Sequence, residues 1–323
     1  MENITNITTN NVIKRYVNDS SSEQVMENTV LMATYIVLYC VIFILGVSGN
    51  CLVVFVVVRK KEMRTVINIF ITNLAVSDIL LCLLAVPFTP ISYYLQSWVF
   101  GEFFCHLVSM TLAICVYVST LTSTTIAVIR YRAIVYPLTP PIQISNCYRI
   151  IVIIWLISIS ISVPLGVYTR ITQSRDGSID CVERWPTDQS SQIFSITSLL
   201  LQYIVPCFII MYCYTSVFLV LKRRIQSGSL NQSKTKKQEE IDMKRKQHTN
   251  KMLVTMVTIF VCCWLPLNIT ISLAEYISTF SNWHYFTLCF FSAHIVAMSS
   301  VIYNPFLYGC MSDNFKNEFK SLF

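Results

Sequence analysis

Asp78 stands in the stretch Asn73-Leu74-Ala75-Val76-Ser77-Asp78, inside an apolar run from about 66 to 95. It is the only carboxylate deep in any such run. Charge in hydrocarbon is costly, so an ionisable residue there marks a functional site by default. Its candidate neighbours are Asn50, Ser119, Ser300 and Asn304, each from an apolar run. A carboxylate ringed by hydroxyls and amides can hold a sodium ion or a proton. The bland alternative is a hydrogen-bonded knot with no ion. Two of the 13 cysteines also stand apart. Cys105 opens the third apolar run, and Cys181 lies in the polar segment after the fourth. If both face an oxidising compartment, a disulfide is expected, and it would staple that segment over the third run. No cysteine shows zinc-type spacing with histidine, so no metal site is expected. The third run ends in Arg130-Tyr131-Arg132. As a helix, the steps from Cys105 to Arg130 cover roughly 37 Å at about 1.5 Å per residue. One element can therefore carry a crosslinkable thiol on one side of a bilayer and a fixed cation on the other.

The elements that must position these groups are legible in the composition. The 323 residues are 54% hydrophobic and only 13% charged, where a soluble domain has about 25% charged residues. Seven long apolar runs cover about 31–58, 66–95, 103–136, 148–168, 191–221, 250–277 and 283–310. Each is long enough to cross a membrane, and backbone in lipid must satisfy itself internally, so the runs are helices. The expected fold is an all-α bundle of seven transmembrane helices over 31–311.

Orientation follows from the 24 Lys and Arg. Nineteen fall in the loops after spans one, three and five and in the C-terminal end. The other five lie in the N-terminal tail and the alternate loops. That asymmetry puts the N-terminus outside and the C-terminus inside. Ten acids, Glu183 and Glu275 among them, accompany those five outer bases. The net +7 thus hides an acidic outer mouth, which favours a cationic ligand. Residues 1–30 form a polar outer tail in which Asn3, Asn6 and Asn18 head glycosylation sequons. The tail starts without a basic n-region, so no cleavable signal peptide is expected.

Proline sits inside several spans, at 87, 164, 206, 266 and 305, where it favours a kink. Trp264 precedes Pro266 closely, and a bulky ring beside a kink can pack in two ways, as a switch requires. The charged segment 222–251 extends spans five and six, with a flexible middle near 228–233. Phe315, Phe319 and Leu322 recur at helical spacing beside Lys316 and Lys320, which predicts an interfacial amphipathic helix over 312–323.

Landmarks from every span now coincide. Gly49-Asn50, Leu74-Ala75-Val76-Ser77-Asp78, Arg130-Tyr131, Trp155, Pro206 with Tyr214, Cys263-Trp264-Leu265-Pro266 and Asn304-Pro305-Phe306-Leu307-Tyr308 stand in order. Together they resemble a rhodopsin-like (class A) G-protein-coupled receptor over about 30–323. Within that class the chain resembles the neuropeptide Y, neuropeptide F and prolactin-releasing-peptide group, FMRFamide-like peptide receptors included. The residues that carry this are Arg64-Thr65-Val66-Ile67-Asn68, Trp98-Val99-Phe100-Gly101, Cys181-Val182-Glu183-Arg184-Trp185-Pro186 and His294-Ile295-Val296-Ala297-Met298-Ser299.

The resemblance implies a ligand with an amidated C-terminal Arg-Phe or Arg-Tyr. It implies that Glu275 pairs with the ligand arginine, a pairing that can be bidentate. It also implies that Thr89, Gln202 and His294 line the pocket toward the amidated end. Arg130, Tyr131, Tyr214, Trp264, Pro266, Pro305 and Tyr308 then form the switch and the inner cleft for a heterotrimeric G protein. Two residues depart from the pattern. Leu112 replaces a glutamine of the Y-type receptors. Ile129 replaces the Asp that normally pairs with its neighbouring arginine, so Arg130 has lost one restraint.

Other classes fit less well. A retinal photoreceptor needs a lysine in span seven, and 283–310 contain none. A transporter would show repeat symmetry, broken helices or several intramembrane charges. An amine receptor would carry an Asp where Leu112 stands. No enzyme chemistry and no nucleic-acid partner are implied. The alternative kept open is a class A receptor for a chemokine-like peptide or a lipid.

Overall fold

The computed structural model describes residues 29–173, 177–228, 234–281 and 283–322. The three outer sequons fall outside them. Seven helical spans are long and apolar enough to cross a membrane: Val30–Arg59, Val66–Tyr94, Gly101–Val135, Ile144–Tyr168, Asp188–Arg224, Gln247–Tyr276 and Phe286–Met311. Each overlaps an apolar run of the sequence. Large side chains such as Ile44, Phe208, Met211 and Phe306 face outward from the bundle, as hydrocarbon solvent permits.

Close packing follows from small residues. A Cβ on Gly46 would meet Cys82 Sγ at 2.6 Å and Val301 at 2.8 Å. Spans one, two and seven can approach there only because that position carries no side chain. Polar side chains tie the middle. Asn73 Nδ2 donates to Thr122 Oγ1 at 2.8 Å, and Trp155 Nε1 donates to Asn73 Oδ1 at 2.9 Å. One amide thus joins spans two, three and four.

The helices are not uniform. Span two starts at Thr65, whose hydroxyl accepts from the Asn68 amide. It stops at Leu84, turns through 85–87 and resumes as Phe88–Tyr94. Pro87, expected to kink the helix, instead sits at a full break, since it lacks the N–H that would continue the ladder. Span five opens on a Thr187–Ser190 capping box and carries a π-helical segment, Leu200–Ile204, just before Pro206. Pro164, Pro266 and Pro305 lie inside continuous helices. Toward the charged segment, span five continues as helix to Gly228, and span six begins as helix at Lys234.

Between spans four and five the chain forms an antiparallel hairpin that the sequence reading did not anticipate. Strand β1, Thr169–Gln173, pairs with β2, Ile179–Glu183. A Cys105–Cys181 disulfide fastens β2 to the end of span three. We call this end of the bundle outer, following the charge asymmetry. At the opposite end the helix Asp313–Leu322 docks Phe315 on Tyr308, with ring centroids 5.5 Å apart. Lys60 and Glu318 add an ion pair at 3.0 Å.

Candidate functional site: an acidic mouth, a tryptophan hinge and an inner cleft

The outer mouth is built from β2 and the ends of spans five and six. Successive side chains on a strand point to opposite faces, so residues two apart share one. Cys181 is pulled down onto span three by its disulfide, and Glu183 therefore shares its downward face. Glu183 Oε2 accepts from Trp185 Nε1 at 3.0 Å. That indole lies between Tyr168 and Phe194, with centroids 4.6 and 4.8 Å away. Glu275, near the outer end of span six, accepts at Oε1 from Ser191 Oγ at 2.9 Å. Burial pushes the Glu183 carboxyl up; the Trp185 hydrogen bond opposes this, and the like charge of Glu275 adds to it. Neither carboxylate is in an ion pair among the described residues. The mouth holds two half-buried acids, and no cation among the described residues neutralises them.

The sequence reading singled out Glu275 but not Glu183 as a site residue. The signal was available: Cys181 and Glu183 are two residues apart, and a strand puts such a pair on one face.

Below the mouth, Gln202 is half-buried within the π-helical turn of span five. Such segments recur at functional sites, because the extra residue re-aims its neighbours. Next to it, Tyr203 accepts at its hydroxyl from Asn268 Nδ2 at 2.9 Å, and the same amide donates to the Trp264 carbonyl at 2.7 Å. Thr89 is half-buried in the short helix after the span-two break. His294 is buried, with Nδ1 2.7 Å from the Tyr39 hydroxyl and its ring beside Phe290. The imidazole is thus anchored on span one. Leu112 packs against the apolar cluster that contains Trp264.

The hinge lies at mid-depth. Trp264, buried beside Phe260, donates from Nε1 to Ser300 Oγ at 3.1 Å. One turn further in, Asn304 Nδ2 donates to Asp78 Oδ2 at 2.9 Å. Asp78 is 5% exposed. Of the four expected neighbours only Asn304 bonds it directly. Ser119 bonds Ser77 at 3.0 Å, and Asn50 donates to the backbone carbonyls of Gly46 and Val301. Asn50 Oδ1 is buried without a partner. Carboxylate, hydroxyl and amide oxygens are hard donors, so the set fits a hard cation such as sodium. Among the described residues no cluster of three or more His, Cys, Asp or Glu could hold another metal.

At the inner end a cavity of about 510 Å³ is lined by Ile129, Arg130, Arg132, Asn68, Met252 and Ser312. Arg130 Nε is buried without a hydrogen-bond partner. Ile129 packs into the inner core. Tyr214 and Tyr308 are buried nearby in that core, and the Tyr308 hydroxyl is also without a partner. Tyr131 instead turns to the side, its ring against Tyr212 and Tyr136. The inner end of span six is tied by His248 Nε2, 2.9 Å from the Met311 carbonyl oxygen.

Residues 49–308 match the family described as 7 transmembrane receptor (rhodopsin family). The chain is 37% identical to the human neuropeptide Y receptor type 2 over 310 residues, 93% of this chain and 79% of that receptor. It is 35% identical to the neuropeptide F receptor of Drosophila melanogaster over 301 residues, 88% of this chain and 61% of that receptor. The mouse neuropeptide Y receptor type 2 is 36% identical over 310 residues. These are receptors and not enzymes; the seven spans make this chain a multi-pass membrane protein, and the family match places it in the plasma membrane. With a disulfide-stapled hairpin above, a tryptophan–proline hinge between and an arginine-lined cleft below, the chain belongs to the rhodopsin family of seven-transmembrane receptors.

Proposed function

We propose that the chain is a receptor for an amidated neuropeptide of the neuropeptide Y/F or RFamide type. It would present the mouth outside and activate a heterotrimeric G protein inside. The observation that carries this is the pair Glu183 and Glu275, two acids at one mouth that no cation among the described residues pairs with. A guanidinium placed between them makes charge-assisted, bidentate hydrogen bonds and relieves their mutual repulsion. Binding energy then comes both from the new bonds and from strain removed. The similarity to receptors named for neuropeptides Y and F points to the same ligand class.

The peptide's arginine pairs at the mouth, and its amidated aromatic end descends toward Thr89, Gln202 and the wall anchored by His294. A free carboxylate there would repel the acids above it, and an amide does not. Contact in this region bears on Asn268, Tyr203 and Trp264, which share one hydrogen-bond chain. The ligand shifts span six only by its affinity difference between the two packings around Pro266 and Pro305. Outward movement of span six would open the cavity at Arg130, Tyr214 and Tyr308 to the G protein. A sodium ion would be held by Asp78 with the Ser119, Ser300 and Asn50 oxygens in the resting packing.

The experiment is a panel of amidated Arg-Phe and Arg-Tyr peptides, each with its free-acid control, on cells expressing the chain. Amides that signal where their acids fail support the reading. Equal potency of amide and acid, or silence of the whole panel, refutes it.

A further inference from the structure

Between spans three and four the inner loop reads Tyr136-Pro137-Leu138-Thr139-Pro140-Pro141. Of the ten prolines only Pro90 and Pro140 follow a serine or threonine. Pro90 lies inside the short outer helix Phe88–Tyr94, so Thr139-Pro140 is the one such pair at the inner end. Proline has no N–H to donate, and it pushes the residue before it toward extended backbone. An extended threonine followed by a proline ring is the form that a proline-directed kinase takes up. The segment is open to such an enzyme. Leu138 is 98% exposed, the three prolines beside it are exposed, and residues 136–141 lie in neither helix nor strand.

The same loop borders the inner cleft. Thr139 lines the cavity of about 510 Å³ together with Arg130 and Arg132. Two guanidiniums thus line one cavity to which no carboxylate among the described residues contributes. Ile129 lines it as well and brings no charge. Arg130 Nε is buried without a hydrogen-bond partner. The Thr139 hydroxyl donates to the Tyr136 carbonyl at 2.8 Å, which holds it within its own turn.

We propose that Thr139 is a phosphorylation site for a proline-directed kinase, and that its phosphate closes the inner cleft by pairing with Arg130 and Arg132. The kinase transfers the γ-phosphoryl group of ATP. The bond from Thr139 Oγ1 to phosphorus forms and the bond to the β-phosphate oxygen breaks. The hydroxyl proton goes to the kinase's base, and ADP leaves. The product has no hydroxyl hydrogen, so the bond to the Tyr136 carbonyl is lost, and anionic oxygen is repelled by that carbonyl. The side chain must turn away, and the cavity's two arginines are where a phosphate finds partners. It brings about −1.5 to −2 charges and three acceptor oxygens, which guanidinium forks take up in bidentate pairs. Pinned in this way, the loop lies across the cleft that a G protein would enter; this consequence rests on the coupling proposed above.

The test uses the full chain in maltoside micelles, which contain no phosphorus, treated with ATP and a proline-directed kinase. Mass spectrometry should place a phosphate on Thr139, and Thr139→Ala should abolish it. No phosphate on Thr139, while a synthetic peptide of residues 134–144 is modified in parallel, overturns the site. Phosphorus NMR reads the pairing. The second ionisation of the phosphate should fall about half a pH unit or more below that of the phosphopeptide, because nearby cations favour the dianion. Arg132→Gln should move it back toward the peptide's value. A titration identical to the peptide's overturns the pairing. Phosphorylation should also lower ligand-free nucleotide exchange on a purified G protein about threefold or more, and less in Arg132→Gln. Exchange that ignores the phosphate overturns the closure. A chain that drives no exchange in either form, yet shows the lowered ionisation, refutes the coupling while the phosphate site stands.

Discussion

Trp264 Nε1 donates to Ser300 Oγ across 3.1 Å, joining the span-six kink to the span-seven segment that holds Asn304 and, through it, Asp78. The bond favours the packing in which it forms. Ser300→Ala removes it at a cost of about 1 kcal/mol to that packing. Ligand-free nucleotide exchange on a purified G protein should rise about fivefold. Unchanged exchange would mean that the bond survives in both packings.

The inner end offers two restraints to test. Arg130 Nε is buried without a partner beside Ile129, and His248 Nε2 lies 2.9 Å from the Met311 carbonyl oxygen. Ile129→Asp should lower basal exchange, and His248→Ala should raise it, each by a few-fold. A rise with Ile129→Asp would contradict this assignment of restraints.

The mouth predicts a pH dependence. Burial, aided by the neighbouring Glu275, raises the Glu183 carboxyl above its ordinary value. In the empty receptor the charged form is disfavoured, so it costs stability above that raised value, and acidification relieves the cost. A bound cation reverses the preference and lowers the value. Peptide binding therefore releases protons, and affinity should climb as pH rises through the raised value and weaken on acidification. Glu183→Gln should flatten the profile while lowering affinity at neutral pH. A Kd that is flat with pH in the unaltered chain would place Glu183 away from the ligand.

The disulfide sets where the mouth acids sit. Cys105 and Cys181 are 76 residues apart, and such a link typically contributes about 2–4 kcal/mol. Cys105→Ser should lower thermal stability and weaken peptide binding more than tenfold, because β2 is no longer held over span three. Full affinity with the link removed would show that hairpin packing alone holds Glu183.

Much of this was legible in the residues. Seven apolar runs predicted seven spans, because length and hydropathy decide membrane crossing without reference to neighbours. Cys105 and Cys181 could be paired by compartment. The amphipathic spacing of Phe315 and Phe319 predicted the last helix. What escaped depends on partners. The β1–β2 hairpin is fixed by pairing Thr169 with Glu183 and Gln173 with Ile179, and a short polar segment carries no periodic sign of that register. Glu183, two residues from Cys181, becomes legible only once that segment is read as a strand. The π-helical turn at Gln202 depends on how span five packs, and Pro87 marked where span two is interrupted but not that the ladder stops there outright.

The central claim is that a ligand guanidinium pairs with Glu275, and a double-mutant cycle reads it most directly. The receptor and Glu275→Gln are each titrated with an amidated Arg-Phe peptide and with its citrulline analogue, which keeps the shape and loses the charge. A charge-assisted contact of about 1.5–3 kcal/mol predicts a coupling of about ten- to a hundredfold between the two changes. Losses that simply multiply, with no coupling, would contradict it.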